Sequence, residues 1–476
     1  MLEIYLVCAP GLETLLGGEA RALGLRVRGV EAGGVTVDGD LADVVRANIG
    51  LRTASRVLVR VASFKATAFH ELERSAKRIA WDRFIGATPV HVRATCRKSK
   101  LYHSDAVAER VLGAIEWTTG TGHAAVPAAG SSTSRGAGEA KQVKEPRRTG
   151  ADSRSFIPVK PATGAKTAAA RAAAKKTIAA AAEKAAVRLE AAKAAQLAKS
   201  NNDGAHQQGD ATDEERDEGA GAQLVVVRFF RDECTISIDS SGALLHRRGY
   251  RQATAKAPLR ETLAAAMLLG AGWTGDTPLV DPLCGAGTIP IEAALIARRI
   301  APGRARAERG ELAIAGWPEL PSGEIERQAA AARGNELPAA RVAIVGSDRD
   351  PGAIEAATAN AERAGVSADV HFVKRVLSAA EPVGSEPGLL VANPPYGVRL
   401  NEGADVRNIY AQLGKVAHFS FPGWRVGVLS PDRALDSQTR LPLRQTFETT
   451  NGGIRVRYVT ATSPAEVADT AEFGPQ

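Results

Sequence analysis

A chain of 476 residues, 44% hydrophobic and 24% charged, is long enough to bury more than one core, and its 61 Lys and Arg against 53 Asp and Glu leave a net charge of +8 that favours a polyanionic partner. The four cysteines, Cys8, Cys96, Cys234 and Cys284, stand far apart without a CxxC pair, which argues against a zinc site or a disulfide framework and suits a reducing cytosol. The N-terminus carries Glu3 where a signal peptide needs basic residues, and no apolar run is long enough to cross a bilayer, so neither export nor membrane insertion is expected.

In chain order, "EIYLVCAPGLETLLGGEARALG" reads as strand, turn and amphipathic helix, and "GGVTVDGDLADVVRANIGLRTASRVLVRVASF" as strand, helix and strand. This alternation predicts a small α+β module. "PVHVRATCRKSKLYHSDAVAERVLGAIEW" adds a strand with alternating apolar positions, a basic turn, and a helix with Val107, Val111 and Ile115 at helical spacing. From 124 to 222 the composition becomes Gly/Ser/Pro-rich and basic, then Ala/Lys-rich, with few large apolar residues. That stretch reads as a low-complexity, disordered insertion, either a passive linker or a basic arm for RNA phosphates. "QLVVVRFFRDECTISIDSSG" then reads as a hairpin that completes the sheet begun ahead of the insertion.

From Leu259 onward, helices alternate with short apolar strands, "PLVDPL", "VAIVGSD", "DVHFVK" and "GLLVAN". Uninterrupted apolar strands predict a parallel sheet covered on both faces, a doubly wound α/β domain whose ligands bind beyond the carboxyl ends of the strands. "VDPLCGAGTIPIEAA" places Asp281 at the first strand end and Gly285 and Gly287 in the following turn, where a missing Cβ lets a ligand approach the backbone. The turn lacks the GK[ST] of a P-loop, and Pro290 occupies the third glycine position of a dinucleotide fingerprint. Asp348, at the end of "VGSD", is suited to accept hydrogen bonds from ribose hydroxyls, whereas Asp350 before Pro351 suits a helix cap. The fourth strand runs into Asn393-Pro394-Pro395-Tyr396, where two prolines end the strand and stiffen the loop. The Asn393 side-chain oxygen and the Pro394 carbonyl can there accept both hydrogens of a planar base amine, drawing the nitrogen towards sp³, while Tyr396 can stack on the base.

These motifs, in this order, resemble the class I S-adenosylmethionine-dependent RNA methyltransferases that modify guanine N2. The upstream stretches "APGLETLLGGEARALG", "LRTASRVLV", "SKLYHSDAVAERV" and "HRRGYR" are similar to that family's N-terminal half. The resemblance implies a ferredoxin-like region over 1–62 and an RNA-binding THUMP domain over 63–123, closed after the 124–222 insertion by a hairpin over 223–241. A linker and Rossmann-like methyltransferase domain over 242–476 would follow. It implies S-adenosyl-L-methionine as cofactor, held by Asp281, Cys284, Gly285, Gly287, Thr288 and Asp348, with Cys284 a packed thiol rather than a nucleophile. Asn393, Pro394, Pro395 and Tyr396 would form the base pocket. The implied substrate is 23S ribosomal RNA, with tRNA guanine N2 next, and a single activity is expected because some relatives carry a second methyltransferase domain that does not follow here.

One departure stands out: "FVKRVLSAAEP" has no carboxylate at Val376 or its neighbours to meet the adenine amino group, which leaves that contact unassigned. Arg97, Lys98 and Lys100 in the basic turn, with Arg247, Arg248 and Arg251 in "LLHRRGYRQ", are candidate RNA contacts. No metal is expected, since the eight histidines form neither HxH nor HExxH and a sulfonium donor requires none. The rivals are an adenine-N6 methyltransferase, which the same NPPY suits, and a non-catalytic RNA-binding ribosome-assembly protein.

Overall fold

The computed structural model describes residues 1–120, 221–252, 259–396 and 406–463. The expected insertion thus lies outside the described residues, apart from 221 and 222. Seven strands of the first half form one sheet: Leu2–Val7 (β1), Arg26–Glu31 (β2), Gly34–Gly39 (β3), Arg56–Lys65 (β4), Val90–Arg97 (β5), Gln223–Phe230 (β6) and Glu233–Asp239 (β7), in the order β2-β3-β1-β4-β7-β6-β5. β1 runs antiparallel between β3 and β4 with Ile4 opposite Val37 and Val59, and all three side chains are fully buried. All three belong to one hydrophobic cluster that covers their face of the sheet.

β6 lies parallel to β5 and antiparallel to β7, and β7 pairs with β4 from Leu58↔Asp239 to Lys65↔Glu233. Strands from both sides of the 124–222 segment therefore share one sheet. The division expected at residue 62 cuts through β4, which pairs with β1 over Arg56–Arg60 and with β7 out to Lys65. The two parts are halves of a single sheet. The helix Ser104–Thr119 buries Val107, Val111 and Ile115 and ends on Gly120 in the left-handed region, where the missing Cβ removes the steric penalty.

The second sheet contains Leu279–Asp281 (β8), Ile344–Asp348 (β9), His371–Lys374 (β10), Leu389–Ala392 (β11), Arg425–Ser430 (β12), Arg444–Asn451 (β13) and Ile454–Thr462 (β14), ordered β10-β9-β8-β11-β12-β14-β13. β8 to β12 are parallel, and β14 runs antiparallel between β12 and β13. Leu389 and Val391 enter one hydrophobic cluster while Leu390 and Ala392 enter another on the opposite face. Alternation across a doubly covered sheet is why the strand reads as an unbroken apolar run.

The segment from Arg298 to Leu320 clasps the first sheet, which the sequence pattern does not announce. Gly303 N–H donates to the Ile49 carbonyl (2.8 Å), Arg306 Nη2 to the carbonyls of Ser241 and Ala243 (2.9 and 3.1 Å), and Trp317 Nε1 to Gln223 Oε1 (2.8 Å). Arg83 makes a two-pronged pair with Glu319 (2.8 and 2.7 Å). In the other direction, Arg52 donates to the carbonyls of Ile300 and Leu295. Backbone acceptors fixed inside the fold make these contacts specific in position.

Candidate active site

Because β8, β9, β10 and β11 are parallel, their carboxyl ends open on one edge of the sheet. A cleft of about 470 Å³ lies there, lined by Leu283, Asp348, Val376, Asn393 and Pro395 and, from the helix Val406–Ser420, Ile409. The three strand ends that carry motifs in the sequence thus meet at one opening, the size of a small-ligand site.

Asp281 is 1% exposed, accepts Leu283 N–H (3.1 Å), and among the described residues pairs with no cationic side chain. Burial, reinforced by nearby Asp348, pushes its carboxyl up to about 8. Asp348 accepts Gly285 N–H (3.1 Å) and Asp350 N–H (3.0 Å), which leaves lone pairs of this half-buried carboxylate towards the cleft. Asp350 caps the next helix, accepting Gly352 N–H (2.9 Å). Two neighbouring carboxylates, one without a counter-charge, fit a cationic ligand.

The two glycines of the turn have different reasons. Gly285 (φ +51°) has open space where a Cβ would stand, whereas at Gly287 (φ +81°) a Cβ would come within 2.8 Å of the Phe372 ring and 2.9 Å of Ala357 Cβ. Gly287 is required by packing. Thr288 opens the following helix and is buried, and Cys284 is a buried thiol pushed far up by desolvation, in keeping with a packed rather than a nucleophilic role. Asn360, fully buried, donates through Nδ2 to the Ala286 carbonyl (2.9 Å) and holds this turn. Its signal in the sequence is a polar residue three positions after Ala357 on the buried face of the helix Pro351–Ala364.

Asn393 leaves the end of β11 and borders the cleft with Pro395, while Pro394 is buried. Tyr396 does not lie open as a stacking platform. Its hydroxyl donates to Asn393 Oδ1 (2.6 Å) and accepts from Asn451 Nδ2 (3.1 Å), and burial pushes it up to about 12, so it stays protonated. Asn451 is invisible to a motif reading, because it belongs to β13, 55 residues downstream.

The expected RNA contacts separate into two groups. Arg97 ends β5 at the sheet edge and Lys98 and Lys100 follow it, both lysines exposed, beside Phe230 (51% exposed), Arg231 over the Phe230 ring at 5.1 Å, and Tyr102 (67% exposed). Sequence reasoning missed these aromatics, although "KLY" and "FFR" carry them. Arg247 is exposed, but Arg248 and Arg251 are not surface cations. Arg248, 6% exposed, lies 3.1 Å from Glu292 Oε1 and donates to the Arg52 carbonyl, and Arg251 pairs with Glu261 at 3.2 Å. Both are corrected to internal partners, since a buried charge is tolerated only when paired. Tyr250 between them donates to Glu292 (2.9 Å), and Arg363 donates to the Tyr250 carbonyl (2.7 Å). Among the described residues there is no cluster of metal ligands and no helix long and apolar enough to cross a membrane.

Residues 248–460, the span that holds every one of these strand ends, match the family described as RMKL-like, methyltransferase domain. Over that span the chain is similar to an RMKL-like methyltransferase domain. Residues 3–58 match the RlmL ferredoxin-like domain, so the chain joins a ferredoxin-like domain to a Rossmann-like methyltransferase fold. A Synechocystis sp. protein provisionally named an RNA methyltransferase is 28% identical over 451 residues, 94% of each chain. The ribosomal RNA large subunit methyltransferase K/L of Syntrophotalea carbinolica is 30% identical over 99% of this chain, which spans only 55% of that relative's length. A Listeria monocytogenes structure titled a predicted N6-adenine-specific DNA methylase superposes with a TM-score of 0.67 at 28% identity, covering 96% of this chain and 95% of that one. The methyltransferase domain uses S-adenosylmethionine, and the residues at this edge fit it: Asp281, buried behind the cleft-lining Pro282 and Leu283, lacks a counter-charge that the cofactor's ammonium can supply, and Asp348, which lines the cleft, offers acceptors to ribose hydroxyls.

Proposed function

We propose that the protein methylates the exocyclic N2 of a guanine in RNA, with large-subunit ribosomal RNA as substrate, in the cytosol. The observation that carries this reading is the placement of Asn393 and Pro394 at the end of β11, on the edge shared by Asp281 and Asp348. S-adenosylmethionine supplies an electrophilic methyl group on sulfur. The chain's own part is to make the amine a nucleophile: Asn393 Oδ1 keeps one lone pair beside the one taken by Tyr396, and the Pro394 carbonyl accepts the second amine hydrogen. Both acceptors draw the nitrogen lone pair out of the ring, and the loop's rigidity keeps them in register.

Asp281 would hold the cofactor's ammonium, and Asp348 its ribose. With no carboxylate at Val376 or its immediate neighbours, the adenine would rest against exposed Val376 and apolar Leu283 and Ile409, with Ser378 at its edge. Lys98, Lys100, Arg231, Phe230 and Tyr102 would hold RNA by phosphate contacts and base stacking, in a THUMP-like role. The names of the K/L relative and the Synechocystis relative support RNA, whereas the Listeria title favours the rival, adenine N6. Labelled methyl transfer to ribosomal RNA and tRNA from cells lacking the protein, followed by nucleoside identification, decides. N2-methylguanosine in ribosomal RNA is expected; N6-methyladenosine, or no transfer despite tight RNA binding, would overturn the reading.

A further inference from the structure

Asn451 is the last residue of β13, 7% exposed, and faces Ile454 across a two-residue hairpin turn made by Gly452 and Gly453. Both glycines lie in the left-handed region (φ +58° and +82°), the conformation of the tightest hairpin turns, so the position of the Asn451 amide is fixed by backbone rather than by side-chain packing alone. Its Nδ2 donates to the Tyr396 hydroxyl oxygen, and Tyr396 has a single hydrogen, which it gives to Asn393 Oδ1. With the Asn451 amide donating, the Tyr396 hydroxyl has its one hydrogen left for Asn393 Oδ1.

We infer that Asn451 is a positioning residue for methyl transfer, acting through the Tyr396 hydroxyl to hold the Asn393 carboxamide with its oxygen, not its nitrogen, committed as the acceptor for the target amine. The physical need is plain. The two ends of a carboxamide are nearly the same shape, and rotation about its terminal torsion is soft, so an unrestrained Asn393 exchanges acceptor for donor. A flipped Asn393 would point an N–H at an amine that itself carries hydrogens, and the lone pair would stay in the ring. Tyr396 donates to one lone pair of the oxygen and thereby marks which end is oxygen, and the raised ionisation of the buried hydroxyl keeps that hydrogen in place at working pH. This inference rests on the proposed role of Asn393 as amine acceptor and extends it to a residue outside the motif.

The test is a double-mutant cycle on the full chain with Asn451→Ala, Tyr396→Phe and the pair, measuring kcat, the KM for RNA and the affinity for S-adenosylmethionine. Asn451→Ala is expected to lower kcat about 5- to 10-fold, the rate equivalent of one neutral hydrogen bond, while KM and cofactor affinity stay within about twofold. Adding Asn451→Ala to Tyr396→Phe is expected to cost nothing further, because the hydroxyl that transmits it is already gone. Retained cofactor affinity certifies that each variant is folded. Multiplicative losses in the pair, or a wild-type kcat in Asn451→Ala, would overturn the inference while leaving the guanine-N2 reading intact. No transfer by the wild-type chain to any RNA amine would remove the reading, and the inference with it.

Discussion

Asp281 ties residue chemistry to stability. Its carboxyl ionises near 3.8 in an unfolded chain and near 8 in the folded one, so between those values the unfolded state holds fewer protons and stability falls as pH rises, levelling off above about pH 8. Asp281→Asn cannot ionise. The free variant is expected to be more stable than wild type at pH 8 by about 2–4 kcal/mol and equal to it near pH 4, while S-adenosylmethionine binding is lost. Glu261, pushed up to about 7, adds the same slope to both proteins, so thermal unfolding across pH isolates Asp281 by difference. Identical pH slopes would show that the carboxylate has a counter-charge in the free protein. At this scale the sequence is most informative for Asp281, Asp348 and Asn393, because their chemistry is set by strand-end position. It is least informative for Tyr396, whose partner Asn451 lies 55 residues away, and for Gly287, whose need for hydrogen at Cα comes from a ring on another strand.

Among the elements, the linker after β7 behaves as an internal strut. Arg248, Tyr250 and Arg251 meet Glu292 and Glu261 on two helices of the methyltransferase domain, and Arg363 ties the Tyr250 carbonyl to the helix that also holds the Gly-rich turn through Asn360. Arg248→Ala leaves Glu292 buried without its cation, for a loss of stability of about 3 kcal/mol, with RNA affinity of the folded protein unchanged. Lys98→Glu with Lys100→Glu should do the reverse. Unfolding would stay near wild type, while RNA affinity falls and the dependence of log affinity on log salt flattens by about 0.7 to 0.9 for each phosphate that is no longer neutralised. Filter binding at two salt concentrations, beside chemical unfolding, separates the outcomes; weakened RNA binding by folded Arg248→Ala would restore it to the surface. A run of arginines has the same appearance in sequence whether it faces solvent or a buried glutamate, so "HRRGYR" conceals its partners, whereas "DPLCGAG" announces a strand end and a glycine-bearing turn.

For the whole molecule, the parallel strands are legible because double coverage makes each a short apolar run, and their order brings the motifs to one edge. The antiparallel pair β13 and β14 and the clasp from Arg298 to Leu320 are not, since their meaning lies in hydrogen bonds to distant backbone. Those unread elements matter to function: β13 delivers Asn451 to the site, and the clasp joins the ferredoxin-like and methyltransferase parts. In the proposed reaction Asn393 makes an RNA amine reactive without holding the cofactor. This role is tested most directly by measuring, on Asn393→Ala and wild type in parallel, methyl transfer to ribosomal RNA and binding of S-adenosylmethionine. Transfer by Asn393→Ala is expected to fall by at least about 100-fold, in keeping with removal of a preorganised transition-state hydrogen bond, with cofactor affinity within about threefold of wild type. Unimpaired transfer would contradict this role.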